Sequence, residues 1–461
     1  MIFLLSLWLS KLLSIIISAC KLGQASNFPG KVALLITNDF LTHFKFNKEI
    51  KIILITGTNG KSTTCGLLCN ILKSAGCKVI TNKAGANLLS GISSTLSFHS
   101  DIFGNIEEKY LVLEVDEATL PLITKFIKVN FIAVTNLFRD QLDRFGELDT
   151  TAKLIEKGIN NCSNATVILN ADDSRVAFLK ANNKKIYYGI NRVIPEGSPL
   201  NDKIWLNDPQ ENTVCPECKS ELVFTTKLMA HLGNYKCKQC NFKRPEPDFA
   251  VSGFKADDLI INFDISSNSF SQSKNNFFLP MIGLFNLYNA LCSIAIAKTI
   301  LNVTSVQIQK GFQSYSTIFG RGEKIIIKDK TAWLFLIKNP TGTTEILKTL
   351  STVPNARFLI AINDDFADGR DVSWLWDARF DILSNHKKDI YVSGKRAEDM
   401  ALRLKYANIH QDKIHIQENI VAGMNKSLKS LDSSEILYIL PTYTALLELQ
   451  RKGICKAAPK D

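Results

Sequence analysis

From about residue 50 onward, short apolar segments alternate with longer stretches in which apolar residues recur at helical spacing. The short segments are rich in β-branched and aromatic residues, which is typical of strands. These predicted strands are 51–56, 78–81, 109–115, 131–136, 166–170 and 185–189. Since strands that alternate with helices usually pair in parallel, the pattern predicts an α/β fold with a doubly wound, mainly parallel sheet.

A second α/β pattern follows residues 320–324 (GRGEK), which we interpret as a joint between domains. It contains about five predicted strands and indicates a smaller, Rossmann-like domain. A chain of 461 residues is also too long for one ordinary core. We therefore predict a lead-in at 1–45, a first α/β domain at 46–320 and a C-terminal α/β domain at 321–461.

The first twenty residues are strongly apolar, and serines recur in them every four residues: Ser6, Ser10, Ser14 and Ser18. On a helix this spacing draws one polar stripe. We expect a helix that packs on the body of the protein or lies on a membrane surface. A lipoprotein signal ending at Cys20 fits less well, since no basic segment precedes the apolar run. A transmembrane anchor ranks third, because Lys11 in the middle of a short span is costly.

The composition is that of a folded protein, with 46% hydrophobic and 21% charged residues. A formal net charge of +11 suits nucleic acid, an anionic membrane or a phosphorylated substrate. Lys and Arg are spread along the chain and form no blocks, which gives nucleic acid little support. Most of the eleven cysteines lack the spacing of a disulfide framework, and this favours a reducing cytoplasm.

The sequence GTNGKST at 57–63, called the phosphate loop below, comes directly after the first predicted strand and directly before a helical pattern. A strand, a glycine loop and a helix N-terminus form a phosphate site, because backbone N–H groups can approach a polyphosphate closely. Lys61 can neutralise phosphate charge, and the hydroxyl of Ser62 or Thr63 can ligate Mg²⁺. The short GTxGK[ST] form is typical of ligases of the Mur and folylpolyglutamate class.

Acids and amides follow three of the predicted strands, at the edge of the sheet where ligands bind in this fold class. Each cluster alone is compatible with turn or capping chemistry. Together they favour a magnesium-nucleotide site, since Mg²⁺ takes carboxylates along with phosphate oxygens. The residues are Glu114, Asp116 and Glu117; Asn136; and Asn170, Asp172 and Asp173.

Two Cys-x-x-Cys pairs, CPEC and CKQC, are separated by eighteen residues. Two such knuckles supply the four thiolates of a closed, tetrahedral zinc site, which predicts a structural zinc ribbon at 213–243. A redox pair would not need the motif twice. The four predicted ligands are Cys215, Cys218, Cys237 and Cys240.

A long apolar helix is predicted within 281–301, with Asn286 and Asn289 one turn apart on one face near its start. Asparagine side chains in this position can cap the helix or form hydrogen bonds with a base. The pattern alone does not choose between these roles.

In the second domain, one strand end carries five acids and two tryptophans, within NDDFADGRDVSWLWD at 363–377. Acids beside aromatic side chains indicate an interaction surface. The six histidines form no cluster in the sequence. A catalytic triad using one of these acids would therefore need its other members from another protein.

Taken in order, the motifs resemble the MurT family, the Mur-ligase-like subunits of lipid II isoglutaminyl synthase, from about residue 25 onward. The resemblance implies a Mur ligase middle domain with an inserted four-cysteine ribbon, a smaller C-terminal domain and no UDP-binding domain. The motifs are GTNGKST, NKAGANLLSG, LEVDEATLP, TNLFRDQLDRFGE, LNADD, the two cysteine pairs, FNLYNAL, GRGE, IKNPTG, DGRDVSWLWD and LPTYTALLE.

The reaction implied by the resemblance is ATP-dependent amidation of the α-carboxylate of D-glutamate in the lipid II stem peptide. An acyl phosphate would form first, and a glutamine amidotransferase partner, GatD, would supply ammonia. Ser62 and Glu114 would hold Mg²⁺, the four cysteines would hold zinc, and Asp371 would complete a triad with the partner's Cys-His pair. Residues implied to bind ATP are Gly57, Thr58, Asn59, Gly60, Lys61, Ser62, Thr63 and, facing the adenine, Asn289.

The sequence leaves two alternatives open. One is a stand-alone Mur or folylpolyglutamate-type ligase that adds an amino acid; Gln141, where amino-acid-adding relatives carry a histidine, makes this less favoured. The other is a zinc-ribbon protein that binds nucleic acid and uses ATP as a regulator. We expect a cytoplasmic protein, with contact to the inner face of the plasma membrane through the first helix.

Overall fold

A computed structural model describes residues 1–20, 26–82, 85–138, 148–191, 214–257, 260–267, 275–281, 283–315, 320–327, 330–351, 353, 355–432 and 435–454. The strands are β1 (Lys45–Phe46), β2 (Lys51–Thr56), β3 (Val79–Thr81), β4 (Asn105–Ile106), β5 (Tyr110–Glu114), β6 (Phe131–Val134), β7 (Thr166–Asn170), β8 (Lys185–Ile190), β9 (Leu222–Met229), β10 (Leu232–Cys237), β11 (Phe249–Asp257), β12 (Ile260–Ser266), β13 (Asn275–Leu279), β14 (Arg321–Ile327), β15 (Lys330–Phe335), β16 (Ala356–Ala361), β17 (Ile390–Ser393), β18 (Ile414–Gln417) and β19 (Ile436–Pro441). The helices are α1 (Ile2–Ala19), α2 (Phe28–Ile36), α3 (Lys61–Ser74), α4 (Leu89–His99), α5 (Leu120–Phe126), α6 (Leu148–Asn160), α7 (Ser174–Phe178), α8 (Leu284–Leu301), α9 (Ser305–Ser314), α10 (Pro340–Ser351), α11 (Trp374–Asp377), α12 (Ala397–Tyr406), α13 (Ile420–Lys429) and α14 (Tyr443–Arg451).

A nine-stranded sheet forms the larger part of the molecule, in the order β13-β12-β11-β8-β7-β6-β2-β5-β3. In this sheet the seven neighbouring strands β11, β8, β7, β6, β2, β5 and β3 pair in parallel, and β12 and β13 add an antiparallel edge. Strand β2 is buried on both faces: Ile53 and Ile55 lie in one hydrophobic core, and Ile52 and Leu54 lie in the other. This explains why the strand is a continuous apolar run instead of an alternating one.

The direction of the connections reverses at β2, which lies between β5 and β6. Helix α3, which follows β2, packs in the first core, and α5, which follows β5, packs in the second. Such a reversal opens a crevice at the carboxyl ends of the strands, where ligands bind in doubly wound folds. The predicted doubly wound, mainly parallel architecture is confirmed.

The second sheet has six strands in the order β14-β15-β19-β16-β17-β18, all parallel except β14. The sequence predicted about five of them. The additional strand is β14, which starts inside GRGEK, the segment interpreted above as a joint. It pairs antiparallel with β15 at the edge of the sheet, so these residues are part of the second sheet.

Helix α1 packs against α2 and α4 with the serine side inward. Ser6, Ser10 and Ser14 are buried, and Ser6 Oγ lies 2.7 Å from Thr37 Oγ1. Of the two arrangements predicted for the N-terminal helix, the structure has the one that packs on the body, although Ser18 is exposed; contact with a membrane surface stays a prediction. By length and composition, α1 and α8 could each span a membrane, but α8 is a mostly buried core helix.

Candidate active site

The phosphate loop crosses from β2 to the N-terminus of α3 at the carboxyl edge of the first sheet. Gly57 and Gly60 have φ values of 117° and 86°, a region that favours glycine. A Cβ atom on Gly60 would collide with Asn289 Oδ1, and one on Gly57 would collide with Thr135 Oγ1. Both glycines are thus required by backbone conformation and by close packing.

Residues after β6 hold the loop in place. Thr58 N donates to Asn136 O at 2.9 Å, and Asn59 N donates to Asn136 Oδ1 at 2.9 Å. Thr135 Oγ1 and Asn136 Nδ2 both donate to Asn59 O, at 2.8 and 3.1 Å. Asn136, which the sequence placed at a strand end, therefore fixes the loop backbone. Residues 139–147 of this motif, including Gln141, lie outside the described residues.

Lys61 is buried, and its ammonium group donates to three protein atoms. They are Gly57 O at 2.5 Å, Thr58 O at 3.3 Å and Glu117 Oε1 at 3.0 Å. Burial alone would lower the pKa of Lys61, but the carboxylates of Glu117, Glu114 and Asp116 raise it above its ordinary value. Lys61 is therefore a charged group beside the loop, and its three donors are already used within the protein.

Ser62 and Glu114 lie together next to the loop, and Ser62 Oγ donates to Glu114 Oε2 at 2.5 Å. Asn82 fixes the Glu114 backbone through two hydrogen bonds, of 2.8 and 2.9 Å. Asn87 Nδ2 reaches the other carboxylate oxygen at 3.4 Å. A hydroxyl and a carboxylate in contact beside a phosphate loop are a suitable pair of oxygen ligands for Mg²⁺.

Asn289 is buried against Gly60 at the start of α8. Thr64 Oγ1 donates to Asn289 Oδ1 at 3.4 Å, and Asn289 Nδ2 donates to Asn286 Oδ1 at 3.2 Å. The structure thus brings Asn289 to the loop from 225 residues away. Its orientation toward an adenine stays a prediction. Thr63, also predicted in the site, is buried in the first turn of α3.

Asn339, to which the sequence analysis gave no role, joins the second sheet to the loop. Its side-chain Nδ2 donates to Asn59 Oδ1 at 3.0 Å, and its Oδ1 accepts from Gly342 N at 2.8 Å in the first turn of α10. It is almost fully buried. The signal in the sequence is the Asn-Pro pair that precedes a helix, but only the arrangement of the two sheets shows what it contacts.

The third strand-end cluster has a structural role. Asp172 is fully buried and accepts from Arg244 Nε at 2.5 Å, Tyr288 Oη at 2.7 Å and Ile190 N at 2.9 Å. Asp173 caps α7 and accepts from Leu137 N at 2.8 Å. The hydrogen bonds of both carboxylates join α7, α8 and the segment after the cysteine pairs. The prediction that this cluster contributes to a magnesium site is therefore wrong for Asp172 and Asp173.

The four cysteines form one cluster, with their sulfur atoms all within 4.8 Å of one another. Cys215 Sγ lies 3.7 Å from Cys240 Sγ, and Cys218 Sγ lies 3.4 Å from Cys237 Sγ. Sulfur atoms in a tetrahedral zinc site are about 3.8 Å apart, given a Zn–S distance of about 2.3 Å. The cluster therefore fits a divalent metal.

This cluster lies at the end of the hairpin formed by β9 and β10, which is tied to the first sheet. Gly233 N donates to Asp172 O at 3.0 Å, and Tyr235 Oη donates to Ala171 O at 3.1 Å. With the Arg244–Asp172 contact, these bonds attach the hairpin to the segment that follows β7. The hairpin is thus part of the support behind α8 and Asn289.

Asp371 is exposed at the surface of the second sheet's domain, just before α11. Its carboxylate accepts from Ser373 N and Ser373 Oγ, both at 2.8 Å, and the first of these contacts lowers its pKa. Two neighbouring acids form ion pairs at the surface: Asp364 pairs with Arg396, and Asp365 pairs with Lys395. Asp371 and Asp377 are the exposed acids among the described residues of this segment, so Asp371 is accessible for a partner.

The two tryptophans of this segment have different roles. Trp374 is 9% exposed and belongs to the core of the second sheet. Trp376 is 50% exposed, with the Arg403 guanidinium 5.7 Å from its ring, and Phe366 nearby in the sequence is 82% exposed. The prediction that both tryptophans serve as surface anchors is wrong for Trp374, since packing in the core uses its ring.

Chemically, the first site can bind a polyphosphate: glycine N–H groups and a helix N-terminus surround the position, with one ammonium and one hydroxyl–carboxylate pair beside it. It also holds enough negative charge, from Glu114, Asp116 and Glu117, to accept a divalent cation along with the phosphates. The arrangement therefore suits transfer of a phosphoryl group from a nucleotide.

Comparison with known proteins agrees with this geometry. A family model of the Mur ligase middle domain matches residues 55–215, and a model of the MurT ligase C-terminal region matches residues 336–446. Among solved structures, a pseudomurein peptide ligase type C from Methanothermus fervidus has the same fold, with a TM-score of 0.65. At 22% identity, over 87% of this chain and 79% of that one, this likeness concerns the fold alone.

Two curated relatives extend over nearly the whole chain. One, from Streptococcus pneumoniae, is 35% identical over 93% of this chain and 92% of its own length. The other, from Staphylococcus aureus, is 32% identical over 92% of this chain and 91% of its own length. Both are named lipid II isoglutaminyl synthase (glutamine-hydrolyzing) subunit MurT. The chain therefore belongs to the family of MurT subunits of lipid II isoglutaminyl synthase.

Proposed function

We propose that this chain is the ATP-using subunit of a glutamine-hydrolysing lipid II isoglutaminyl synthase. It converts the α-carboxylate of D-glutamate in the lipid II stem peptide into the carboxamide of D-isoglutamine. The observation that carries the proposal is the similarity to MurT subunits over more than nine-tenths of both chains, across both sheets. The site geometry supplies the chemistry.

A carboxylate is a poor electrophile, so its oxygen must first receive the γ-phosphoryl group of ATP to give an acyl phosphate and ADP. Ammonia then attacks the carbonyl carbon, and phosphate leaves. In this scheme Lys61 and the loop N–H groups stabilise charge on the transferring phosphoryl group. The proposed nucleotide-binding residues are Gly57, Thr58, Asn59, Gly60, Lys61, Ser62, Thr63 and Asn289.

Two metal ions belong to the proposal. Ser62 and Glu114 would hold Mg²⁺, which supplies charge neutralisation next to the phosphates when bound. Cys215, Cys218, Cys237 and Cys240 would hold a structural Zn²⁺, and the closeness of their sulfur atoms supports this. The zinc ribbon would then stabilise the hairpin that contacts Asp172.

Membership of a subunit family implies a partner protein. We propose a glutamine amidotransferase of the GatD type, with Asp371 completing its Cys-His pair as a triad. The exposed carboxylate, the exposed Phe366 and the half-exposed Trp376 support an interface at this segment. Ammonia generated by the partner subunit would reach the acyl phosphate in its reactive form, whereas free ammonia is mostly protonated at neutral pH.

We also propose the division into 1–45, 46–320 and 321–461, which the two sheets support, since strands β2–β13 lie before residue 280 and β14–β19 after residue 320. The location would be the cytoplasm, at the inner face of the plasma membrane. Neither a stand-alone amino-acid ligase nor a nucleic-acid-binding ribbon is favoured by a specific observation in the described residues.

The test uses the full chain with its glutaminase subunit, ATP, glutamine and lipid II, and follows amidation by mass spectrometry of the stem peptide. Lys61→Ala should abolish amidation and leave glutamine hydrolysis in the complex. Asp371→Asn should abolish glutamine hydrolysis in the complex and leave nucleotide binding intact. Added ammonia should restore amidation by this variant. Activity of the chain alone with an amino acid would overturn the proposal.

A further inference from the structure

The outward side of α1 is almost entirely apolar. Its exposed residues recur at positions i, i+3, i+4 and i+7, which defines one continuous stripe on a helix. Their exposed fractions range from 36% to 64%. They are Leu5, Trp8, Leu9, Leu12, Ile15 and Ile16.

Apolar side chains from neighbouring elements extend this stripe. Trp8 Nε1 donates to Ile102 O at 2.8 Å, which places the loop between α4 and β4 directly beside α1. Helix α2 also packs against α1. We call the combined surface the N-terminal apolar face; besides the α1 stripe it contains Phe28, Leu35, Ile36, Phe98, Ile102 and Phe103, each at least 45% exposed.

The polar side of α1 is the buried side, which is the reverse of an ordinary surface helix. Ser6 contacts the Thr37 hydroxyl at 2.7 Å, and Ser14 Oγ donates to Ser10 O at 2.9 Å. Lys11 Nζ donates to Ser100 O at 2.5 Å. The contacts with Thr37 and Ser100 fix the rotation of the helix about its axis, so its apolar side is held outward.

Basic residues outnumber acidic ones in the segment that forms most of the face. Residues 1–38 contain three lysines and no acid. Lys31 on α2 is exposed. The nearby acids are engaged: Asp39 lies 3.4 Å from His43, and Asp101 accepts hydrogen bonds from Phe103 N and from Asn105. An apolar surface with lysines and a tryptophan is complementary to an anionic lipid surface.

Helix α4 connects this face to the candidate active site. Asn87, two residues before α4 begins, contacts Glu114 at the proposed magnesium position, and Phe98 near the end of α4 belongs to the apolar face. Eleven helical residues span about 16 Å. A membrane on this face would therefore lie about one short helix away from the phosphate loop.

We propose that the N-terminal apolar face docks in the plane of an anionic lipid bilayer, with α1 lying on the surface. The docked orientation places the active site over the membrane that carries the lipid-linked substrate, and this part rests on the proposed function. The docking itself needs neither nucleotide nor substrate.

The test is co-sedimentation of the full chain with vesicles, without ATP, glutamine or lipid II. One set contains phosphatidylglycerol and phosphatidylcholine in equal parts, and the other contains phosphatidylcholine alone. The wild-type chain should bind the anionic vesicles more strongly. A Leu12→Glu, Ile15→Glu variant should lose at least about tenfold in partition coefficient, because two exposed apolar side chains become charged. Lys31→Ala should lose about fivefold on anionic vesicles only.

The matched control is Val306→Glu on α9, which changes an aliphatic side chain of 63% exposure away from the face and should bind as the wild type does. Unchanged circular dichroism spectra would exclude unfolding as the cause. Wild-type binding by the Leu12→Glu, Ile15→Glu variant would overturn the proposal. Resistance of the bound protein to alkaline extraction would also overturn the proposal, because it indicates a membrane-spanning helix. The same holds for a wild-type chain that forms a soluble dimer, does not bind vesicles, and becomes monomeric in the Leu12→Glu, Ile15→Glu variant. None of these outcomes depends on whether the chain amidates lipid II.

Discussion

Replacing Glu117 by glutamine removes a charge from the ion pair that holds Lys61 in the nucleotide-free protein. The ammonium and the carboxylate are 3.0 Å apart, and both side chains are at most 10% exposed. Glutamine keeps the shape and one acceptor oxygen but not the charge. We expect the variant to be less stable without nucleotide and to bind nucleotide more tightly.

The magnitude follows from the geometry. Two unit charges at 3.0 Å interact by about 5 kcal/mol at an effective dielectric constant of about 20. Removing one partner of a buried pair typically costs about 3–5 kcal/mol. Glu114 and Asp116 still stabilise the Lys61 charge, so we expect a loss of about 3 kcal/mol, at the lower end. Bound phosphates would supply a new counter-charge and recover about half of this loss, which corresponds to about tenfold tighter binding.

Hydrogen exchange at the amides of β2 and α3, read by mass spectrometry, measures the opening free energy of the first sheet separately from the second. Isothermal titration with a non-hydrolysable ATP analogue and Mg²⁺ measures affinity. The matched control is Glu345→Gln, which breaks the buried Glu345–Lys348 pair, 2.9 Å apart on α10. It should leave nucleotide affinity unchanged. Equal or weaker nucleotide binding by Glu117→Gln would refute the competition between Glu117 and phosphate for Lys61.

Four further predictions concern the phosphate loop and its supports, a histidine of the second sheet, and the cysteine cluster. Tyr288→Phe should lower the free energy of unfolding by about 1.5–3 kcal/mol, because its hydroxyl donates to the buried Asp172 carboxylate. The matched control is Tyr188→Phe, because the Tyr188 hydroxyl contacts neutral carbonyls at 3.2 and 3.4 Å; this variant should lose about 0.5–1.5 kcal/mol. Equal losses of the two variants in urea unfolding would argue against the effect of the Asp172 charge. Gly60→Ala should weaken nucleotide binding in calorimetry, since the residue has φ of 86° and its Cβ would collide with Asn289; an unchanged dissociation constant contradicts this. Burial and nearby Arg357 lower the pKa of His386 from 6.5 to about 4. As pH drops from 6.5 to 4, the unfolded chain binds a proton at His386 before the folded chain does, so the free energy of unfolding falls. In melting experiments at different pH values, the His386→Gln variant should lose less stability over this range than the wild type. Elemental analysis of native protein should find stoichiometric zinc, and chelation should lower the melting temperature; a metal-free, equally stable protein would exclude the ribbon.

The phosphate loop could be predicted from the sequence because its signal is local. Gly57, Gly60 and Lys61 follow a buried strand and precede a helix, and each residue type has a conformational or chemical reason to be there. Six of the nine strands of the first sheet were predicted for a related reason, shown by β2, which is buried on both faces and reads as one apolar run. Strands β11, β12 and β13 at one edge of the sheet were not predicted. The cysteine spacing likewise indicated which four sulfur atoms would meet.

What could not be predicted depends on which distant side chains meet. The acids after β5 and β7 look alike in the sequence, but Glu114 contacts Ser62, whereas Asp172 is enclosed by Arg244 and Tyr288. Only the packing of the hairpin and α8 separates a ligand candidate from a structural carboxylate. The serine stripe of α1 similarly indicated a polar side, and the fold determined that this side is the buried one.

The hydrogen bond between Asn339 and Asn59 links the second half of the molecule directly to the phosphate loop. The backbone of Asn59 is bound to the segment after β6, and its side chain is bound to Asn339, the residue before α10, so a rotation of the second sheet would pull on the Asn59 side chain. A rotation of the second sheet would therefore change a contact that a residue of the phosphate loop makes directly.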